Sequence, residues 1–177
     1  MTVSNWTIDP THSSIEFSVK HMMIAKVKGS FNKFSANISA DPLDLTTAEI
    51  DFDVDVASID TRNADRDNHL RSADFFHVEH NPTLTFKSSK IVKTDEDEYD
   101  VTGNVTLNGI TKEETFAITF EGQGKDPWGN EKAGFSGKGK IKRSDYGLTY
   151  NAALETGGVL IGDQITLTLD IEAAKEA

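Results

Sequence analysis

The stretch AEIDFDVDVA, residues 48–57, decides the fold class. Ala48, Ile50, Phe52, Val54 and Val56 take every second position, and Glu49, Asp51, Asp53 and Asp55 take the positions between. Side chains alternate across a β-strand, so this pattern makes one dry face and one wet face. Strands of parallel sheets are usually apolar on both faces, because helices cover both. A one-sided strand therefore implies an antiparallel sheet.

The same period recurs in both directions from that stretch. Ile15, Phe17 and Val19 alternate with Ser14, Glu16, Ser18 and Lys20. Val27 to Phe31 and Phe34 to Ala40 read as one long strand that changes phase near Asn32 and Lys33, as a bulge would make it. Leu84 and Phe86 form a short strand after Pro82. Tyr99, Val101, Val105 and Leu107 lead to Asn108-Gly109, a hairpin signal of the type that needs φ > 0 twice. Phe116, Ile118 and Phe120 follow, then the turn-rich loop GKDPWGNEK. Phe135 and Ile141 sit on the next strand, and Ile165, Leu167, Leu169 and Ile171 on the last. This is an all-β chain of about eight strands with one helical insert. A single domain over 1–177 is expected, with residues from about 173 as a polar tail.

A sandwich and a closed up-and-down barrel both fit that strand count. Gly29, Gly103, Gly137 and Gly139 fall in phase with the apolar positions and favour the barrel, whose closure needs bends. An inward glycine also leaves space, and an eight-stranded barrel can hold one small ligand. Strand curvature alone explains the same glycines.

Composition excludes several classes of function. There is no cysteine, so disulfides, Cys-based zinc sites and thiol catalysis are ruled out. Lys+Arg 18 against Asp+Glu 29 gives a net charge of −11. Such a chain is repelled at long range by nucleic acid and by anionic lipid surfaces, and no basic stripe is visible in the sequence. No apolar run is long enough to span a membrane as a helix. The start MTVSNWTID carries no signal-peptide pattern, so a cytoplasmic location is expected.

The insert TRNADRDNHLRSADFF, 61–76, breaks the alternation and predicts about three turns of helix. Asn63 is the expected N-cap, and Leu70 and Ala73 the inward residues. Two readings compete. As a lid at the barrel mouth, Arg66, His69 and Arg71 meet a ligand head while Phe75 and Phe76 touch its apolar part. As a brace, the arginines pair with Asp65, Asp67 or Asp74 and fix the helix to the barrel. His69, His77 and His80 with nearby acids match no strong metal motif, and no G-x-S-x-G elbow, P-loop or dinucleotide fingerprint occurs. His12 and His21 bracket the first strand and read as structural. No cofactor or metal is implied.

Five stretches follow one another as in a known family: WTIDPTHSSIEFSVKH, VKGSFNKF, the long run from Ser58 to Ser88, VTGNVTLNGITKEETF and KRSDYGL. The chain resembles the YceI-like family from Trp6 to about Ile171. The most specific part is Arg66, Asp67, His69, Leu70, Arg71, Ser72, Asp74, Phe75 and Phe76. His77 departs from the family's usual Asp. The resemblance implies a lipocalin-like eight-stranded barrel of bacterial origin, holding a polyisoprenoid or similar long lipid for storage, transport or sequestration. It implies no settled enzymatic activity, and dimers among the members.

On this reading Ile15, Phe17, Val19, Phe31, Phe52, Phe86, Phe116, Phe120, Phe135 and Ile165 line a tunnel, with Arg66, His69, Arg71, Phe75 and Phe76 at its mouth. The expected partner is an isoprenoid or other long-chain lipid, with no nucleic acid and no integral membrane segment. The homodimer is left open. Two alternatives stand beside the carrier. One is an enzyme on a lipid-like substrate, using His69, His77 and nearby acids. The other is an acidic scaffold working through its surface.

Overall fold

The computed structural model describes residues 3–151 and 160–176. Of the domain expected over 1–177, residues 1–2, 152–159 and 177 lie outside the described part. The strands are β1 (Ser4–Ile8), β2 (Ser14–His21), β3 (Ala25–Phe31), β4 (Phe34–Asp41), β5 (Asp44–Asp55) and β6 (Ile59–Asp60), then β7 (Thr83–Asp95), β8 (Glu98–Leu107), β9 (Ile110–Lys125), β10 (Glu131–Lys142) and β11 (Ile161–Lys175). The helix α1 spans Ala64–Arg71, and short 3-10 turns occupy Pro10–His12, Val56–Ser58 and Arg143–Tyr146.

All pairings are antiparallel, and β1-β4-β5-β7-β8-β9-β10-β11 close on themselves through β1–β11. That ring is an eight-stranded barrel. β2 continues the line of β1 along β11, β3 continues β4, and β6 continues β5. The broken strands are therefore one ladder with local interruptions. Two of the breaks lie side by side. Asn32 N donates to Ser58 O at 3.2 Å, Lys33 N to Ser58 Oγ at 3.0 Å and Asp55 N to Lys33 O at 2.9 Å. Backbone groups freed by the phase change near Asn32 are thus bonded again within the barrel wall.

The AEIDFDVDVA stretch behaves as its pattern requires. Val54 and Val56 are buried, while Glu49, Asp51 and Asp53 are exposed. Asn108 and Gly109 take φ of 54° and 75°, joining β8 to β9 in the tight turn their types favour. Three expectations need correction. The strand after Pro82 is long, running to Asp95, because a register shift between Ser88 and Lys90 restores the alternation that Ser88-Ser89 interrupts. The first part of the expected C-terminal tail, to Lys175, is strand: Ala173 is fully buried, and Trp6 pairs with Lys175. The insert makes eight helical residues, about two turns, and Ala73 lies beyond its end and is exposed.

The in-phase glycines do not leave empty space. A Cβ at Gly29 would press on the Phe17 ring, at Gly103 on Phe86, at Gly137 on Ile118 and at Gly139 on Phe116. Gly29 lies directly opposite Phe17, and Gly137 opposite Ile118, in the ladder. Each glycine is a seat for a neighbouring large side chain, which folds over it. The interior has two apolar clusters. One gathers Val56, Ile59, Val105, Leu107 and Tyr146. The other gathers Trp6, Ala40, Leu45, Tyr99 and Ala173. Tyr146 is wholly buried and its hydroxyl donates to Glu114 Oε2 at 2.7 Å; burial, then that bond, raise its pKa.

Candidate functional site

The upper half of the barrel is not filled. An outer lobe of about 320 Å³ is walled by Phe17, Val19, Phe31, Ile165 and Leu167, with Leu70, Phe75, Phe76, Leu148 and Tyr150 over it. An inner lobe of about 120 Å³ is walled by Ile15, Phe52, Phe86, Phe116, Phe135 and Leu169. Phe31, Leu84, Ile141 and Leu167 belong to both walls, so the lobes follow one another along the barrel. Among the described residues, the inner lobe has one polar lining residue, Ser136. The outer lobe adds Lys20, His21, Thr61, Arg66, His69 and Arg143. Among the described residues, no aspartate or glutamate lines either lobe, in a chain with 29 of them.

The insert is held at this mouth by caps and backbone bonds. The Asn63 side chain accepts from Arg66 N at 2.9 Å, as an N-cap should. Asp67 is buried and accepts from both the N–H and the hydroxyl of Thr61, tying the first turn to the end of β6. Ser72 N and Oγ donate to His69 O at 3.0 and 2.6 Å, closing the other end. His69 Nε2 lies 2.9 Å from Asp74 Oδ2. The rings of His69, Phe75 and Tyr150 meet pairwise with centroids 5.0 Å apart, forming an aromatic collar over the outer lobe.

Arg66 and Arg71 divide the competing readings between them. Arg71 donates to Ala57 O, Ile59 O and Asn68 Oδ1 at 2.8, 3.0 and 3.1 Å, and does not line the cavity. It is a brace, bonded to backbone carbonyls rather than to the carboxylates the sequence suggested. Arg66 donates from Nε to Thr61 Oγ1 and from Nη2 to Thr61 O, at 2.7 and 2.6 Å, yet it also lines the outer lobe. Its guanidinium is oriented by Thr61 and keeps further N–H groups for another acceptor.

Of the residues read as tunnel lining, Ile15, Phe17, Val19, Phe31, Phe52, Phe86, Phe116, Phe135 and Ile165 line one lobe or the other. Phe120 does not. It packs on Phe135 at 5.6 Å beside the lower apolar cluster, below the inner lobe. Arg66, His69, Phe75 and Phe76 stand at the mouth, and Arg71 is set aside as described. His77 also stays out of the lining. Its φ is 48°, and its ring packs on His80 with centroids 4.2 Å apart. That left-handed turn is a place where Asp, Asn and His are all enriched, which accounts for the residue without a ligand role.

Sequence reading missed Arg143, which lies inside the recognised stretch KRSDYGL. It is 7 % exposed and donates to Gly162 O, Leu148 O and Tyr150 O at 3.0, 2.8 and 3.2 Å. Burial lowers its pKa, and Asp163 nearby opposes that shift. It pins the segment carrying Leu148 and Tyr150 to the start of β11. Only the pattern Lys-Arg before a short turn could have flagged it, and that pattern does not indicate burial.

Among the described residues, one group brings three possible metal ligands together: Asp9, His12 and Glu172. It lies at the β1–β2 break, away from the cavity, and the Lys132 ammonium stands 3.7 Å from Asp9 Oδ2. His69, His77 and His80 do not gather with acids in this way.

The YceI-like domain family matches residues 6–173. A UPF0312 protein of Staphylococcus epidermidis is 41% identical over 171 residues, covering 96% of this chain and 97% of its own. A UPF0312 protein of Staphylococcus aureus is 40% identical over the same length, with 96% and 97% coverage. Among solved structures, BcnA of Burkholderia cenocepacia superposes with a TM-score of 0.82 at 25% identity, covering 93% of this chain and 98% of that one. The Campylobacter jejuni YceI protein does so at 0.77 and 36%, covering 89% and 90%. A polyisoprenoid binding domain from Saccharophagus degradans shares the fold at 0.72 and 14% identity, with 97% and 98% coverage.

Proposed function

The chain belongs to the YceI-like domain family, and from that premise we propose that it binds one long-chain lipid, a polyisoprenoid of the quinone or prenyl-phosphate type, inside the barrel. The observation that carries this reading is the chemistry of the cavity wall. A dry inner lobe is followed by an outer lobe whose charged lining, among the described residues, is cationic. That order suits a molecule with an apolar tail and a polar or anionic head. The tail lies among Phe52, Phe86, Phe116 and Phe135, and the head stays near Arg66 and His69. The Saccharophagus degradans domain, named for polyisoprenoid binding, has the same fold and is in keeping with this choice.

Affinity comes chiefly from the tail, at about 25 cal/mol for each Å² of apolar surface removed from water. The head contributes selection, through charge-assisted hydrogen bonds to Arg66. The protein is a carrier or a store, and it does no chemistry on its cargo. The His69–Asp74 pair resembles an acid–base dyad, but here it fastens the collar.

The test is a binding series on delipidated protein, with prenyl phosphates and isoprenoid quinones of increasing chain length. Affinity is expected to rise with length until both lobes are filled and then to level off. Affinity independent of length would overturn the proposal.

A further inference from the structure

The fold assembles a basic face that the sequence does not show as a stripe. Between Glu16 and Asp41 the chain carries no acidic residue, but it carries Lys20, Lys26, Lys28 and Lys33. In the ladder, Ser18 pairs with Lys28 and Thr166, and Lys20 pairs with Lys26. On the far side of β11, Lys138 pairs with Thr168, Lys140 with Thr166 and Lys142 with Gln164. The outward positions of β10, β11, β2 and β3 next to the mouth therefore hold Lys20, Lys26, Lys28, Lys138, Lys140 and Lys142. All six are exposed, and none is in an ion pair among the described residues. Glu16 on β2 and Asp163 and Asp170 on β11 are the carboxylates beside them.

The β2–β3 turn stands at the rim of this face. Met22, Met23 and Ile24 are 43%, 50% and 84% exposed. Met22 and Met23 have φ of 56° and 62°, and Ile24 N donates to His21 O at 3.3 Å. Two successive left-handed residues in a tight turn usually mean Asn-Gly, as at Asn108-Gly109. Here the same geometry is imposed on two methionines, which gain nothing from it locally. His21, at the base of the turn, lines the cavity.

We propose that this turn and the lysine face dock the barrel, mouth first, on an anionic lipid bilayer. Met22, Met23 and Ile24 enter the interfacial layer while the lysines meet the head-groups, which is how amphipathic surfaces hold to membranes. The net charge of −11 opposes approach from a distance. Screening limits that repulsion to about 10 Å at ordinary salt, within which the local lysines decide the sign. A nucleic acid would match the lysines but not the apolar turn. The purpose of docking rests on the carrier reading, since it sets the cavity mouth against a source of lipid; the docking itself does not.

The experiment is flotation of the full chain with phosphatidylcholine vesicles, with and without about one third phosphatidylglycerol. Lys20 is left intact because it also lines the cavity. Binding is expected only with phosphatidylglycerol and should weaken with salt. Lys26→Gln with Lys28→Gln should cut it roughly fivefold per lysine. Ile24→Ser should cut it about tenfold. Trp128→Ala, 83% exposed on the β9–β10 turn at the other end of the barrel, should leave it unchanged.

Absent binding, or binding that ignores these changes or follows Trp128, would overturn the proposal. So would a dimer that Ile24→Ser dissociates while vesicles are ignored, which would give the face to a second copy. Lipid extraction from the same samples separates the two readings. Vesicle binding without cargo upholds docking against the carrier, and cargo without vesicle binding does the reverse.

Discussion

His69 Nε2 stands 2.9 Å from Asp74 Oδ2, and that contact ties the last turn of α1 to the segment that lays Phe75 and Phe76 over the cavity. The pair is 42% and 56% exposed, so it contributes little to global stability, about 1 kcal/mol at most. Its effect is local. Asp74→Ala is expected to leave the urea midpoint nearly unchanged while lipid leaves several-fold faster. Stopped-flow release of a fluorescent prenyl analogue measures this. An unchanged release rate would show that the collar closes without the pair.

Arg66 and Arg71 lie five positions apart and should behave differently on substitution. Arg71→Ala removes donors from Ala57 O and Ile59 O, and hydrogen bonds to charged groups are worth about 1.5–3 kcal/mol. Stability should fall by about that amount, with the ranking of lipid head-groups unchanged. Arg66→Gln should narrow the preference for anionic over neutral heads of equal chain length. A titration series on both variants, beside urea denaturation, tests the division. Equal loss of head-group preference in both would refute it.

Gly139 tests whether the glycines are seats or bends. Replacing glycine by alanine stabilises by about 0.4–1 kcal/mol where the backbone and space allow. Here the new methyl meets the Phe116 ring, and overpacking costs about 1–3 kcal/mol. The second effect is larger, so Gly139→Ala should destabilise. Phe116→Leu should rescue it in part, because the smaller side chain frees the seat. Additive losses in the double variant would count against the seat.

The β1–β2 break should be sensitive to pH. The His12 pKa is raised, first by the hydrogen bond to Asp9 and then by Glu172 and Asp9 charges. A raised pKa means that the protonated form stabilises the fold below the unfolded value near 6.5, and that this is lost as pH rises through the folded value. Asp9 is held well below the carboxylate range, first by His12 and then by Thr11, so its share is lost only in strong acid. Proton NMR of His12 should give a midpoint above 6.5 that Asp9→Asn lowers. A midpoint unmoved by Asp9→Asn would refute the coupling.

Most of the barrel was legible in the sequence, because period-2 alternation reports burial directly. Asn108-Gly109 and the phase change at Asn32-Lys33 were legible for the same reason, since each is a local backbone event. The β7 extension was not, because a register shift hides the period at Ser88-Ser89. The site was legible only in part. Inward phenylalanines announce themselves by phase. Arg66 and Arg71 look alike as letters, and only tertiary partners separate the residue facing the cavity from the one fixed to Ala57 and Ile59. Arg143 and the lysine face depend on strands far apart in sequence, so no local pattern contained them.

The most direct measurement of the central claim is native mass spectrometry of the intact purified protein, paired with organic extraction and lipid mass spectrometry. The account predicts one prenyl or other long-chain lipid per barrel, lost on extraction and recovered on adding an isoprenoid. A protein that arrives empty and also rejects added isoprenoids would contradict it.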